Sequence, residues 1–526
     1  MRIWLALIWS AAAFAQPALE MAIAPPDGMT VNAIASSAEG ELYAAGRLNG
    51  DAAIVRFNAA GQVVWRMLLG GVAADEATAI AVDAHGAIYL AGATASADFP
   101  VVNALQGKPN FTALVRAHGF LTKLSPAGNI AYSTYYYKEG YLRINALRVL
   151  PSGEVLLAGG SSQTPWSSLP IPWHGFVAKF SPSGDRVVFH NQLGGDRTSC
   201  SGGSSCLSAA PWTSVHTLDV RDTDGWILMA GSTNTVGMAT AGAAQTACYC
   251  DFQASVGWLG LLDPNGVPQY VTYLSGQGSR LALGNEWNEY IRAVTFDRDG
   301  NIRATGVTRL PGFPTTPEAY QSVIEGCVEF CTPRAEVSFY GLIDGVSGAL
   351  RASSLYGGKA ASLRASSLDP SGSMWMMGDE TPFMVLFSAD AKKVEARWPS
   401  PGQAAALVSA PLRDGFATAG PREIRRYRWV DDGPRIYAVG RAERAGRPPV
   451  SVVDVAAGDV LDVYTAGYGG DVWLYFDGIL AEASPVEGEP GHWRGIVPAG
   501  IAERTVIDLT LLAPDNRVSV TRLSTR

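Results

Sequence analysis

Six carboxylates at Asp75, Glu76, Glu139, Asp196, Glu286 and Glu289 are the residues of this chain best placed to do chemistry. Paired carboxylates can act as acid and nucleophile or base on a glycosidic bond, and with carbonyl oxygens they can hold calcium. Isolated acids in loops are ordinarily just solvated. The motifs that would raise the stakes are missing: there is no Gly-x-Ser-x-Gly elbow, HExxH pair, P-loop or sialidase-type Asp box. No residue is therefore assigned as catalytic. Asp297–Asn301 and Asp222–Gly225 imitate the start of a calcium loop, but each lacks the downstream Glu and carries the Asp-Gly of a hairpin turn. Both are expected to be turns, and no metal or other cofactor is expected. His118 and His174 each stand directly before Gly-Phe, which argues for a structural role repeated along the chain.

Four tryptophans, Trp166, Trp173, Trp212 and Trp287, lie in the same kind of segment as the acids. Their indole faces can form a platform for sugar rings or peptide side chains, or they can simply pack beneath long loops. The six cysteines are Cys200, Cys206, Cys248, Cys250, Cys327 and Cys331. An even count suits disulfides in an oxidising compartment. Local Cys200–Cys206 and Cys327–Cys331 bridges are preferred, which leaves Cys248 with Cys250 in a tight ring. Zinc would need CxxC-type spacing with partner histidines, which is absent.

What positions these residues is a repeat. Glycine pairs six residues apart recur at Gly40/Gly46, Gly86/Gly92, Gly153/Gly159, Gly225/Gly231, Gly300/Gly306 and Gly372/Gly378, and Gly415/Gly420 is one residue short. A second turn glycine follows in most units: Gly61, Gly128, Gly184, Gly266, Gly348 and Gly433. In the second unit, Ala79–Asp83 and Ile88–Ala91 read as strands A and B, Gly119–Leu124 and Ile130–Tyr135 as strands C and D. Ser125-Pro-Ala-Gly128 between C and D is turn chemistry. Four short antiparallel strands in each of seven units is the arithmetic of a seven-bladed β-propeller. A solenoid would need polar caps at both ends, and none is visible.

The stretch Ala79-Ile-Ala-Val-Asp-Ala-His-Gly-Ala-Ile-Tyr-Leu-Ala-Gly92, with Ser96-Ala-Asp-Phe-Pro100 and Gly312-Phe-Pro-Thr-Thr316, resembles the seven-bladed β-propeller repeat (SBBP type) of bacterial secreted proteins. The resemblance covers roughly residues 30–440 and is weakest in the last two units. It implies a fold and an exported location, and no catalytic activity. Alternating strands at Val460–Tyr464, Val472–Phe476, Trp493–Val497, Val506–Leu511 and Val518–Arg522 are similar to a small immunoglobulin-like β-sandwich appended to such propellers. The expected organisation is a signal peptide over 1–15, a propeller over 16–440, a linker over 441–449 and the sandwich over 450–526. The strand following Gly433 is expected to complete the last blade.

Composition bounds the partners. The 526 residues carry 58 Gly, 10% aromatic and only 17% charged residues, as a turn-rich β-protein requires. A net charge of −8 offers no footprint for nucleic acid or an anionic membrane. Arg2, the apolar Ile3–Ala12 and the Ala13-Phe-Ala15 site read as a secretory leader, with no cysteine after the cut and no membrane span. The expectation is a secreted or periplasmic monomer.

In an antiparallel blade the B–C and D–A connections share one face. The long B–C insertions, about 93–118, 160–174, 232–254 and 307–336, fall there with the cysteines, tryptophans and acids. Long loops on a rigid frame are where binding residues sit. The favoured function is non-enzymatic binding of an extracellular carbohydrate, peptide or protein on that face. The alternatives are an exported polysaccharide hydrolase or lyase using the channel-mouth acids, and a structural cell-surface component.

Overall fold

The computed structural model describes residues 16–112, 115–138, 140–162, 173–194, 211–250, 254–277, 287–324, 337–357, 363–368, 373–378, 383–399, 408–412, 415–420, 423–430, 435–441, 454–466, 472–487, 492–501, 506–512 and 518–525. The second repeat shows how sequence becomes sheet. Asp75–Val82, Ile88–Thr94, His118–Leu124 and Ile130–Tyr136 pair in chain order as antiparallel strands. Gly86, at φ 76°, makes the first turn, and Gly128, at φ 88°, makes the last. Asp83 helps the first turn by accepting the His85 and Ala87 amides on Oδ1.

The other units follow the same plan, and we number the sheets I to VII. Their first strands are Thr30–Ser36, Asp75–Val82, Tyr141–Val149, Thr213–Arg221, Tyr290–Phe296, Leu363–Leu368 and Val408–Leu412. Each first strand touches the next, and the one in sheet VII touches that of sheet I. This is the arrangement of a β-propeller: an all-β ring of four-stranded antiparallel sheets around an axis. The core lies between successive sheets. Tyr43, Ile54 and Leu69 of sheet I, for example, pack on Ile80, Leu90 and Phe120 of sheet II.

The six-residue glycine pair has two separate causes. The first glycine supplies the positive φ of the A–B turn, between 76° and 82° at Gly40, Gly86, Gly153, Gly225 and Gly300. The second faces a β-bulge. The first strands of sheets I to VI each carry an extra residue, at Val31/Ala33, Ala77/Ala79, Ile144/Ala146, Val215/Thr217, Ile291/Ala293 and Leu363/Ala365. Opposite these bulges stand Gly46, Gly92, Gly159, Gly231, Gly306 and Gly378. A Cβ on Gly92 would lie 1.9 Å from the Glu76 carbonyl oxygen, and one on Gly231 would lie 1.9 Å from that of Ser214. In sheet VII, whose glycine spacing is short, the described pairs Val408↔Ala419 to Leu412↔Gly415 show no register shift.

The later turn glycines join neighbouring sheets. A Cβ at Gly184, Gly266 or Gly348 would strike Tyr132, Phe189 or Tyr270, an aromatic on the outer strand of the preceding sheet. A cation reinforces the same seam: Arg56 Nη1 donates to the Pro126 carbonyl (2.7 Å), and Lys179 Nζ to that of Pro264 (3.4 Å).

One expectation is corrected. The outer strand of sheet VII is Gln16–Ile23, from the other end of the chain, antiparallel to Ile424–Val430. The strand beyond Gly433, Arg435–Arg441, instead pairs with Val460–Ala466. Had the last sheet completed itself from its own chain, side chains alone would hold it to the first. Borrowing Gln16–Ile23 closes the ring with a backbone ladder. Ile23 then meets Gly61 of sheet I, where a Cβ would lie 2.9 Å from its Cγ1, as the outer strands do at other seams.

Residues 435–525 form two more sheets sharing one core that includes Leu461, Val463, Leu474, Phe476, Trp493 and Leu511. Val506–Leu512 and Val518–Thr525 of this unit touch the outer strand of sheet VI, Val394–Pro399. Among the described residues, no helix is long and apolar enough to cross a membrane.

Gly231→Ala should lose roughly 2–4 kcal/mol, because its methyl must displace backbone. Gly107→Ala, with nothing within 4 Å of its Cβ position and no positive φ, should be near neutral. Urea melts of the two variants check this; similar losses would contradict the bulge account.

Candidate functional site

The bulges aim side chains at the axis. Asn32, Thr78, Asn145 and His216 are the extra residues of sheets I to IV. Each reaches the backbone just before the next bulge. Asn32 Nδ2 donates to the Ala77 carbonyl (2.9 Å), Thr78 Oγ1 to that of Ile144 (2.6 Å) and Asn145 Nδ2 to that of Val215 (2.7 Å). A ring nitrogen of His216 hydrogen-bonds the backbone of Ile291, and Nε2 lies 3.1 Å from Ser232 Oγ. These four contacts lace successive sheets around an axial cavity of about 480 Å³, which Arg292 also lines.

Two residues before each bulge lies a second ring: Thr30, Glu76, Arg143, Ser214 and Tyr290. They stand at the start of the inner strands, on the face of the D–A and B–C connections. On the side of sheets III to V, Arg143, Ser214, His216 and Tyr290 join Trp173 and Trp212 around a cleft of about 560 Å³. Trp173 opens the third strand of sheet III, and Trp212 immediately precedes the first strand of sheet IV. A parallel bridge joins the two, and the Trp173 amide donates to the Pro211 carbonyl (2.9 Å). Both indoles are half-buried. The Trp173 ring is 5.7 Å from that of Tyr141 and lies against Gly160, where a Cβ would fall 1.9 Å from Nε1.

The acids behave differently. Asp75 is buried, and its Oδ2 accepts from Ser96 Oγ (2.8 Å) and the Gly71 amide (3.0 Å). With Asp98 Oδ1 accepting the Val72 amide (3.0 Å), it holds the sheet I–II connection in place. Glu289 is also buried. Its Oε1 takes the amides of Arg309 and Leu310 (3.0 Å each) and the Thr308 hydroxyl, and its Oε2 takes the Gly276 amide (3.3 Å). These two carboxylates are loop anchors. Glu76 does face the channel mouth, and accepts from Asn32 Nδ2 (2.8 Å).

Cys248 and Cys250 are joined. Trp166, Glu139, Asp196, Glu286, Cys200, Cys206, Cys327 and Cys331 lie outside the described residues. Of Trp287 only the backbone is described, paired in parallel with Ala254. Asp297 makes the expected turn, accepting the Asp299 and Asn301 amides, and Oδ2 pairs with Arg303 (2.8 Å). His118 is structural: it is buried, stacked between Phe111 and Tyr137 at 4.9 and 4.3 Å, and takes the Asn110 amide on Nε2. No cluster of metal-ligating side chains occurs among the described residues.

Reading residue types alone misses Arg143, Ser214, His216 and Tyr290. The signal is positional: counting back fourteen residues from the second glycine reaches the bulge in sheets I, II, III and V, and fifteen does in sheet IV.

No family model and no curated protein matches the chain. Among solved structures it is similar to the β-propeller domain of Myceliophteria thermophila Cps50 (Swd1), at 8% identity and a TM-score of 0.45 over 79% of this chain and all of that one. It is also similar to Kuenenia stuttgartiensis hydrazine synthase, at 9% identity and a TM-score of 0.44 over 76% and 96% of the two chains.

Burial pushes His216 down to about 4, with Arg292 adding repulsion, and burial likewise pushes His190 to about 4. The unfolded chain takes up these protons near 6.5, but the folded one resists until about 4. Stability present above the unfolded value therefore falls as pH drops through that window. His216→Asn should flatten part of the slope in urea melts between pH 7 and 4, and an unchanged slope would contradict its burial as a neutral ring. Asp75→Ala should cost about 1–3 kcal/mol in the same assay, by stranding the donors it satisfies.

Proposed function

We propose that this chain is an exported, non-enzymatic binding protein. In this reading it is a closed seven-bladed β-propeller over residues 16–430, followed by a small immunoglobulin-like β-sandwich over 435–525. The leader is cut after Ala15, and the closing strand Gln16–Ile23 stays in the mature chain. The ligand is an extracellular carbohydrate, peptide or protein, bound at the axial mouth on the face of the long connections. The observation that carries this is the cleft of about 560 Å³ where Trp173 and Trp212 meet beside Arg143 and Tyr290. Cleft volumes of this order suit small ligands and the ends of larger ones, and half-buried indoles offer an apolar face with a polar edge.

The burial of Asp75 and Glu289 in structural hydrogen bonds weighs against these two as the acids of a hydrolase. Catalytic carboxylates must reach a substrate and exchange protons with it.

A screen of the mature, oxidised protein against soluble polysaccharides and peptidoglycan fragments, read by calorimetry and mass spectrometry, tests the reading. Binding without new products is expected, and Trp173→Ala should weaken it by about tenfold. New products would overturn the non-enzymatic reading; silence against the panel and against peptide and protein libraries would overturn the binding reading.

A further inference from the structure

The charges around the cleft are unusual for this chain. The protein is net negative at −8, yet among the described residues no carboxylate lines the cleft. Arg143 does, and it is exposed, with no ion pair among the described residues. Elsewhere, Arg56, Arg221, Arg303, Arg351, Arg425 and Arg494 are each matched with an acid. Glu76, the residue equivalent to Arg143 in sheet II, accepts a hydrogen bond from Asn32. A second cation follows below: Arg292 lines the axial cavity, with its guanidinium 5.8 Å from the Tyr290 ring centroid. His216, held neutral by burial, contributes hydrogen bonding rather than charge at pH 7.

The rest of the lining suits a sugar better than a peptide. Flat aromatic faces from Trp173, Trp212 and Tyr290 stand beside the hydroxyls of Ser214 and Ser255. A pyranose ring presents an apolar face for stacking and hydroxyls at its edge. A peptide adding itself as a strand would need an unpaired backbone edge. Here the edges beside the cleft are already paired, Trp173 with Trp212 and Ser255 with Asn288.

We propose that the cleft binds an acidic polysaccharide, with a uronate carboxylate held by the Arg143 guanidinium and the adjoining sugar rings stacked on Trp173 and Trp212. The planar fork of arginine matches a carboxylate in bidentate fashion. Arg292 adds a longer-range attraction that weakens with salt. This inference rests on the binding reading above and names the ligand class of that same site.

The test is calorimetry on the mature full chain with hexamers of galacturonate, mannuronate and glucuronate. Fully methyl-esterified hexagalacturonate, a neutral galactose hexamer and hexaglutamate serve as comparators. At least one uronate hexamer should bind, about tenfold or more tighter than the neutral sugars, and Arg143→Gln should remove most of that preference. Trp173→Ala should weaken acidic and neutral sugars alike. Both variants should melt like the parent protein, since Arg143 is exposed, with no ion pair among the described residues, and Trp173 is half-buried at the rim. If Trp173→Ala does melt lower, Arg143→Gln carries the test alone. Equal binding of neutral and acidic sugars, or a silent Arg143→Gln, would overturn the acidic preference while leaving carbohydrate binding standing. Hexaglutamate binding as tightly as the uronates, with Trp173→Ala without effect, would overturn the sugar in favour of an acidic peptide. No uronate binding by the intact protein would overturn the inference outright, and the broader screen would then decide the binding reading separately.

Discussion

The contact on which this architecture depends is between a backbone carbonyl and a carbon atom that carries no side chain. In sheets I to VI the inner strand bulges by one residue, and the strand opposite meets the bulge with glycine. At Gly46, Gly92, Gly159 and Gly231 a methyl group would overlap a carbonyl oxygen at 1.8–1.9 Å. A bulge bends its strand and increases its local twist. It also turns one extra side chain toward the axis, and in sheets I to IV that side chain hydrogen-bonds the backbone of the next sheet. One steric requirement thus couples the shape of each sheet to its attachment to the next.

The frame so built holds chemistry at fixed heights. The bulge residues form one ring, and the residues two positions earlier form another above it, at the channel mouth. The backbone holds its register while the side chains vary: Thr30, Glu76, Arg143, Ser214 and Tyr290 occupy equivalent places. Function on such a frame is set by what each sheet contributes to the rings, so the polarity of the mouth can differ from one side to the other. The sheet II side carries Glu76, and the sheet III to V side carries Arg143 and aromatic rings.

Much of the frame was legible in the sequence, because glycine is what a positive φ and a close backbone approach both demand. The second unit's strands lie within a few residues of where its turns place them. Closure was not legible. Gln16–Ile23 follows a leader-like segment and has no turn glycine before it, while Gly433 offered a nearer strand. The choice between them is made by the ring, a constraint spanning the whole chain that no local pattern encodes. At the site, Trp173 and Trp212 were visible as aromatics on the right face, and the structure brings them together. Asp75 and Glu289 are equally chemical by type, yet they face inward to satisfy loop amides, because residue type does not reveal which way a side chain faces. Arg143 carries no signal in the sequence, because a single arginine in a strand has no motif.

The central claim is that ligand is held at the axial mouth over sheets III to V. Hydrogen–deuterium exchange of the mature protein, with and without a saturating uronate hexamer, tests it most directly. The account predicts new protection at the starts of the inner strands around Arg143, Ser214 and Tyr290 and at Trp173 and Trp212, with the turns at Gly86, Gly153 and Gly225 unchanged. Protection confined to those turns or to residues 454–525, or no protection anywhere, would contradict it.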